Sequence, residues 1–88
     1  MKVKSRKQFF TDLSKIKSRE LLDDIQFIYK FADFCKTPQD IPGFKWLTGY
    51  PTYARISIED YRIGIQIIED TIIFICALHR SIVYERFP

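Results

Sequence analysis

The sequence predicts an α+β domain: an N-terminal strand and a helical hairpin packed on a mainly antiparallel, roughly four-stranded sheet. Two regularities carry that reading. Between Phe9 and Cys35 the apolar residues recur at helical spacing, and between Tyr53 and Leu78 they alternate with period two or run continuously. A third observation separates the two halves. Residues 37–52 hold three of the four prolines (Pro38, Pro42, Pro51) and two of the three glycines (Gly43, Gly49), residues that break helix and strand alike.

Taken in order, Met1 to Ser5 alternates around Val3 and reads as a short first strand. Phe9, Leu13 and Ile16 stand at i, i+4, i+7, with Phe10 widening the stripe, so a helix is expected over Arg6–Ile16. Ser18 is placed to cap a second helix, with Glu20, Asp23 and Asp24 near its positive end. Leu21, Ile25, Ile28, Ala32 and Cys35 share one face and carry that helix to about Cys35, flanked by Leu22, Tyr29 and Phe34. Because the two helices are adjacent and opposite in charge on their polar faces, an antiparallel hairpin is the simplest arrangement. In the Pro/Gly-rich region, Ile41, Phe44, Trp46 and Leu47 are too apolar for a free linker. They should dock it on the core, with one helical turn at Phe44–Leu47.

Three strands follow. Tyr53–Ile58 sets Tyr53, Arg55 and Ser57 against Ala54, Ile56 and Ile58, and Tyr61–Ile67 sets Arg62, Gly64 and Gln66 against Ile63, Ile65 and Ile67. One apolar and one polar face mark half-buried antiparallel strands. The two-residue links Glu59-Asp60 and Glu69-Asp70 predict hairpins, although they lack the usual glycine. Thr71–Leu78 is apolar on both faces and suits a strand flanked on both sides. Arg80–Phe87 reads as a short last strand or an irregular tail.

At 88 residues the chain is read as one domain, residues 1–88, with a modest core. Its aromatic richness, eight Phe and five Tyr, leaves apolar surface for a partner. The net charge of +3 is unevenly spread: residues 1–19 carry seven basic residues against Asp12 alone, and the remainder is acidic on balance. Such a basic arm attracts nucleic acid, an anionic membrane or an acidic partner, or it is simply a solvated helix face. Cys35 and Cys76 lack metal-ligand or redox spacing and read as small buried hydrophobes in a reducing compartment. A single His leaves no metal cluster to assemble. Without an apolar signal core or a membrane-length apolar run, the cytoplasm is the expected location.

On the predicted sheet, Arg55, Ser57, Arg62, Gly64 and Gln66 share the polar face, and Gly64 should leave a shallow spot open to a ligand. Alternation sends His79 and Arg80 to opposite faces unless the strand ends between them, so only one of them is guaranteed to point at this surface. Arginine forks match phosphate oxygens, and Tyr84 offers a ring on which a base can stack. Solvated strand arginines and a core tyrosine would give the same pattern.

The string Asp60-Tyr61-Arg62-Ile63-Gly64, then His79-Arg80, then Tyr84, in this order and behind a helical hairpin, resembles the RelE/ParE toxin superfamily, its RelE-like members above all. The resemblance covers essentially the whole chain. It implies the toxin of a type II toxin–antitoxin pair: a metal-independent endoribonuclease without cofactor that cuts mRNA on the ribosome. In that chemistry the 2′-OH attacks the adjacent phosphate and leaves a 2′,3′-cyclic phosphate. The family's basic residues would fall on Arg55 and Ser57, its later arginines on Arg62 and Arg80, and its tyrosine on Tyr84. Ser57 departs from the pattern, since a serine cannot offset a phosphate charge. Arginine does not act as a base, which leaves His79, whose ordinary pKa lies near neutrality, or Tyr84 to handle a proton. Lys15, Lys17 and Arg19 are further expected RNA contacts. The implied partners are a cognate antitoxin, the ribosome and mRNA, with no membrane and no DNA except through the antitoxin complex. The alternatives are a ParE-like inhibitor of DNA gyrase and a toxin-like binding module without activity.

Overall fold

The structure, a computed structural model, describes all 88 residues. Its strands form one five-stranded sheet in the order β1-β5-β4-β3-β2. β1 (Lys2–Ser5) lies parallel to β5 (Thr71–His79), and β5, β4 (Tyr61–Ile68), β3 (Tyr53–Ile58) and β2 (Phe44–Trp46) pair antiparallel in succession. β5 is paired on both edges, and its two apolar faces are both covered, one by the helix-side core and the other by Val83 and Phe87. Helices α1 (Lys7–Leu13) and α2 (Arg19–Phe34) cover one face. No helix is long and apolar enough to cross a membrane.

The α2 stripe behaves as its spacing requires: Leu21, Ile25, Ile28, Ala32 and Cys35 are all buried, and the Ser18 hydroxyl accepts from the Leu21 N–H at 3.2 Å. α1 is shorter than expected. Its C-terminal end tightens into i→i−3 bonds, Lys15 to Asp12 and Ile16 to Leu13, while the Ser14 hydroxyl donates to the Thr11 carbonyl. Ile16 is still buried, one turn beyond the helix. Phe10 and Phe34 do not join the stripe; their side chains are exposed.

Two elements differ in kind from the expectation. Phe44–Trp46 is a strand, β2, and not a helical turn. A 3₁₀ turn at Pro38–Asp40 delivers the chain to the sheet edge, where Phe44, Lys45 and Trp46 pair with Ile56, Arg55 and Ala54. The sheet therefore has five strands. The C-terminal segment is neither strand nor irregular tail: Val83–Arg86 forms a single helical turn, α3.

The core divides across the sheet. Fifteen buried residues, including Phe9, Ile25, Ile28, Ile56, Ile63, Ile65 and Phe74, fill the space between the helices and the sheet. A smaller cluster on the other face joins Cys76 and Leu78 of β5 to Val83 and Phe87. The hairpin turns use left-handed backbone without glycine: Glu59 and Glu69 have φ of 53° and 55°.

β5 also carries a register shift. Ile65 of β4 faces Phe74 while Gly64 faces Cys76, so Ile75 is the extra residue of a bulge. Beyond it the alternation changes phase. Ile72 and Phe74 point to the helices, and past Ile75 so do Ala77 and His79. β1 ends opposite Phe74, so no strand receives the N–H of Ala77. Buried Asp12 of α1 accepts it at 3.0 Å and is held in turn by the Gln8 side chain at 2.6 Å. A charge-assisted bond of this kind ties helix to bulge.

Candidate functional site

The strand registers place a row of cations diagonally across the face opposite the helices. Lys45 of β2 stands across from Arg55 of β3. Two residues along β3, Ser57 stands across from Arg62 of β4. Arg62 in turn faces Leu78 of β5, with Arg80 two residues further on. Directly opposed side chains on one face sit about 5 Å apart at Cβ and diagonal ones about 7–8 Å, so the row offers a phosphodiester several successive contacts.

Each arginine is oriented by the local chain. The Arg55 guanidinium donates through Nη1 to the Ser57 hydroxyl and, at 3.4 Å, to the Gly43 carbonyl. Arg62 folds back onto the β3–β4 turn, donating through Nη1 to the carbonyls of Glu59 and Tyr61, both at 2.9 Å. Arg80 reaches the same turn from β5: its N–H donates to the Asp60 carbonyl at 2.7 Å and its Nε lies 3.6 Å from the Asp60 carboxylate. That ion pair is solvent-exposed, worth a fraction of a kcal/mol, and readily exchanged for another anion.

A cleft of about 400 Å³ opens at the β2 end of the row. Lys45, Leu47, Tyr50 and Arg55 line one side; Tyr84, Glu85, Phe87 and Pro88 line the other. The C-terminal wall is anchored by Phe87, which is buried against Tyr53 at a ring distance of 5.7 Å. Tyr84 is 58% exposed and free to meet a ligand.

The expected open spot at Gly64 is not open. A Cβ there would lie 2.6 Å from the Cys76 sulfur and 2.8 Å from the Phe87 ring. The missing side chain makes room for the chain's own Phe87 ring, not for a ligand. Cys76 is buried there, and burial pushes its thiol up from an ordinary 9.0 to about 11. The Cys35 thiol is raised by burial as well.

Of the residues singled out from the sequence, Arg55 and Tyr84 share the cleft, Ser57 positions Arg55, and Arg62 and Arg80 converge on the adjoining turn. His79 lies elsewhere. The bulge turns it to the helix side, where its ring packs edge-on against Tyr61 at 5.6 Å. Its Nδ1 accepts from the Ser81 N–H at 3.1 Å and lies 2.9 Å from the Ser81 hydroxyl. That position removes His79 from the cation row. Lys15 lines a separate depression with His79 on that side, and Lys17 and Arg19 are exposed at the α1–α2 connection. Lys15 and Lys17 lie in the α1–α2 connection and Arg19 opens α2, apart from the row. Lys45 was missed because its segment reads as a helical turn; only strand pairing puts it beside Arg55.

A relative, Toxin RelE3 of Methanocaldococcus jannaschii, is 36% identical over 89 residues, spanning 100% of both sequences. Among solved structures, a chain of the RelB–RelE antitoxin–toxin complex from Methanococcus jannaschii superposes with a TM-score of 0.84 at 32% identity, covering 97% of this chain and 99% of that one. The RelBE2 toxin–antitoxin complex from Mycobacterium tuberculosis matches in fold, with a TM-score of 0.69 at 20% identity over 90% of this chain and 96% of that one. No protein-family model matches the chain.

Proposed function

This chain belongs to the RelE toxin family, and we propose on that premise that it is the toxin of a type II toxin–antitoxin pair, a ribosome-dependent endoribonuclease that cuts mRNA. The observation that carries the reading is the cation row from Arg55 through Arg62 to Arg80 with Tyr84 beside it, on a face not covered by the main helices.

In the proposed reaction the ribose 2′ oxygen bonds to the neighbouring phosphorus and the bond to the 5′ oxygen breaks. The products are a 2′,3′-cyclic phosphate and a 5′-hydroxyl. The pentavalent phosphorus carries an additional negative charge, and Arg62 and Arg80 hold it while Arg55 grips the backbone at the cleft. The departing 5′ oxygen takes a proton, and the attacking hydroxyl gives one up to solvent. Tyr84 offers an exposed hydroxyl donor at the cleft, and His79 is turned away from it. The Asp60 carboxylate now beside Arg80 is the group an incoming phosphate displaces.

An antitoxin partner is supported by the two related structures solved as antitoxin–toxin complexes. A partner carrying acidic and apolar side chains would neutralise the cation row and cover exposed aromatic surface such as Phe34, which is 83% exposed.

The test is Arg62→Ala under induced expression, with mRNA cleavage mapped on purified ribosomes. Loss of one preorganised charge donor lowers the rate on the order of 10²–10³-fold, so growth inhibition should disappear while the circular-dichroism spectrum stays native. An Arg62→Ala protein as toxic as the parent would refute the assignment of the phosphate clamp. Inhibition of gyrase supercoiling without mRNA cleavage would replace the nuclease reading altogether.

A further inference from the structure

We propose that Lys45, on the edge strand β2, is a phosphate-contacting residue of the same site and extends the RNA track across four strands. The inference rests on the nuclease reading for its chemistry but on the fold for its placement.

Three observations carry it. First, the register Lys45↔Arg55 puts both side chains on the cation-row face, opposed across the β2–β3 pair, and both line the cleft. Second, neither cation is committed to a carboxylate, for the one ion pair in the molecule is Arg80–Asp60. Third, Ser57 is occupied. Its hydroxyl receives the Arg55 guanidinium, so at that position the chain supplies an orienting acceptor in place of a charge. Lys45 restores the second charge from the neighbouring strand. An ammonium on a flexible stem suits this job, since it follows a phosphate as a point charge without demanding fork geometry.

Glu85, on the opposite wall of the cleft, sharpens the reading. An acidic group facing two unpaired cations repels a phosphate that binds alone, so Lys45 and Arg55 together are what make the cleft attractive to RNA.

The experiment uses the full chain and two measurements. Single-turnover mRNA cleavage on programmed ribosomes should fall on the order of 10²-fold for Lys45→Ala and stay within a few-fold for Lys45→Arg. Lys30→Ala, which removes an equal charge from the exposed face of α2, should leave the rate unchanged. Separately, binding of a 2′-deoxy analogue of a single-stranded mRNA segment is measured against salt. The slope of log K on log [salt] should become shallower by roughly 0.7 for Lys45→Ala, the value for one lost phosphate contact on a single strand. A Lys45→Ala protein with parental rate and parental slope overturns the proposal. Should the parent cleave nothing, the nuclease reading falls alone, because the salt slope still decides whether Lys45 touches phosphate.

Discussion

Replacing Gly64 by alanine should loosen the C-terminal segment from the sheet. The added methyl would stand 2.6 Å from the Cys76 sulfur and 2.8 Å from two carbons of the Phe87 ring, roughly 1 Å inside comfortable carbon contact. Cys76 belongs to a strand paired on the β4 side and cannot retreat far. Phe87 ends a single helical turn anchored by two buried side chains, its own and that of Val83, so Phe87 is the group that moves. Overpacking of this kind costs about 1–3 kcal/mol, and alanine recovers about 0.5–1 kcal/mol of strand preference over glycine. The expected net loss is about 1–2 kcal/mol. In a domain of this size it lowers Tm by about 4–8 °C per kcal/mol.

Urea titration followed by circular dichroism measures the loss, and a double-mutant cycle with Phe87→Ala assigns it. In the Phe87→Ala background the ring contact is gone and the Cys76 thiol can turn into the vacated space. Gly64→Ala should therefore cost little there, giving a coupling of about 1 kcal/mol or more. Additive losses would refute the assignment to Phe87, and an unchanged midpoint for Gly64→Ala would refute the clash itself. Since Tyr84, Glu85 and Phe87 form one wall of the cleft, cleavage should decline along with stability.

Three further outcomes are expected. Asp12→Ala orphans the buried Ala77 N–H and should cost about 2–3 kcal/mol by urea titration, with Asp12→Asn losing less because its carbonyl can still accept. Glu69→Gly relieves left-handed backbone at φ 55° and should raise stability by up to about 1 kcal/mol, read as a higher Tm without change in cleavage. The Cys76 thiol, raised to about 11 from an ordinary 9.0, should resist alkylation at pH 8 in the native protein and react once urea unfolds it. Because its folded pKa is the higher one, its stabilising contribution is whole below about pH 9 and is lost as pH rises through about 11, so Cys76→Ala should flatten the alkaline decline of Tm.

The helices and central strands were legible because their signal is periodic and local. The five-residue stripe of α2 and the Ser18 cap state where a helix lies and which side it buries. β2 was not legible, for three residues show no period and acquire their state from pairing with Ile56, Arg55 and Ala54. α3 is likewise a single turn, held by tertiary burial of Val83 and Phe87 and not by its own pattern. The site was read in part. Arg55, Arg62 and Tyr84 follow from alternation and resemblance, whereas Lys45 needed the pairing of an unforeseen strand. The facing of His79 turned on one bulged residue, and the partner of Asp12 lies 65 positions away in sequence. Nothing local announces either.

That bulged residue sets which acid–base chemistry the sheet can present. With Ile72 and Phe74 held in the core, deletion of Ile75 would straighten β5 and leave Cys76, Ala77, Leu78 and His79 on their present faces, because Phe74 and Cys76 already pair with adjacent residues of β4. Loss of the bulge with every residue kept would instead reverse the phase after Phe74: His79 would come to the cation face and Arg80 would turn toward α1. An imidazole could thus enter such a site, or leave it, through a change of strand register with no histidine gained or lost. Relatives of this chain are therefore better compared by strand phase than by column: a histidine aligned with His79 shares its facing only where the bulge is kept or its extra residue is absent.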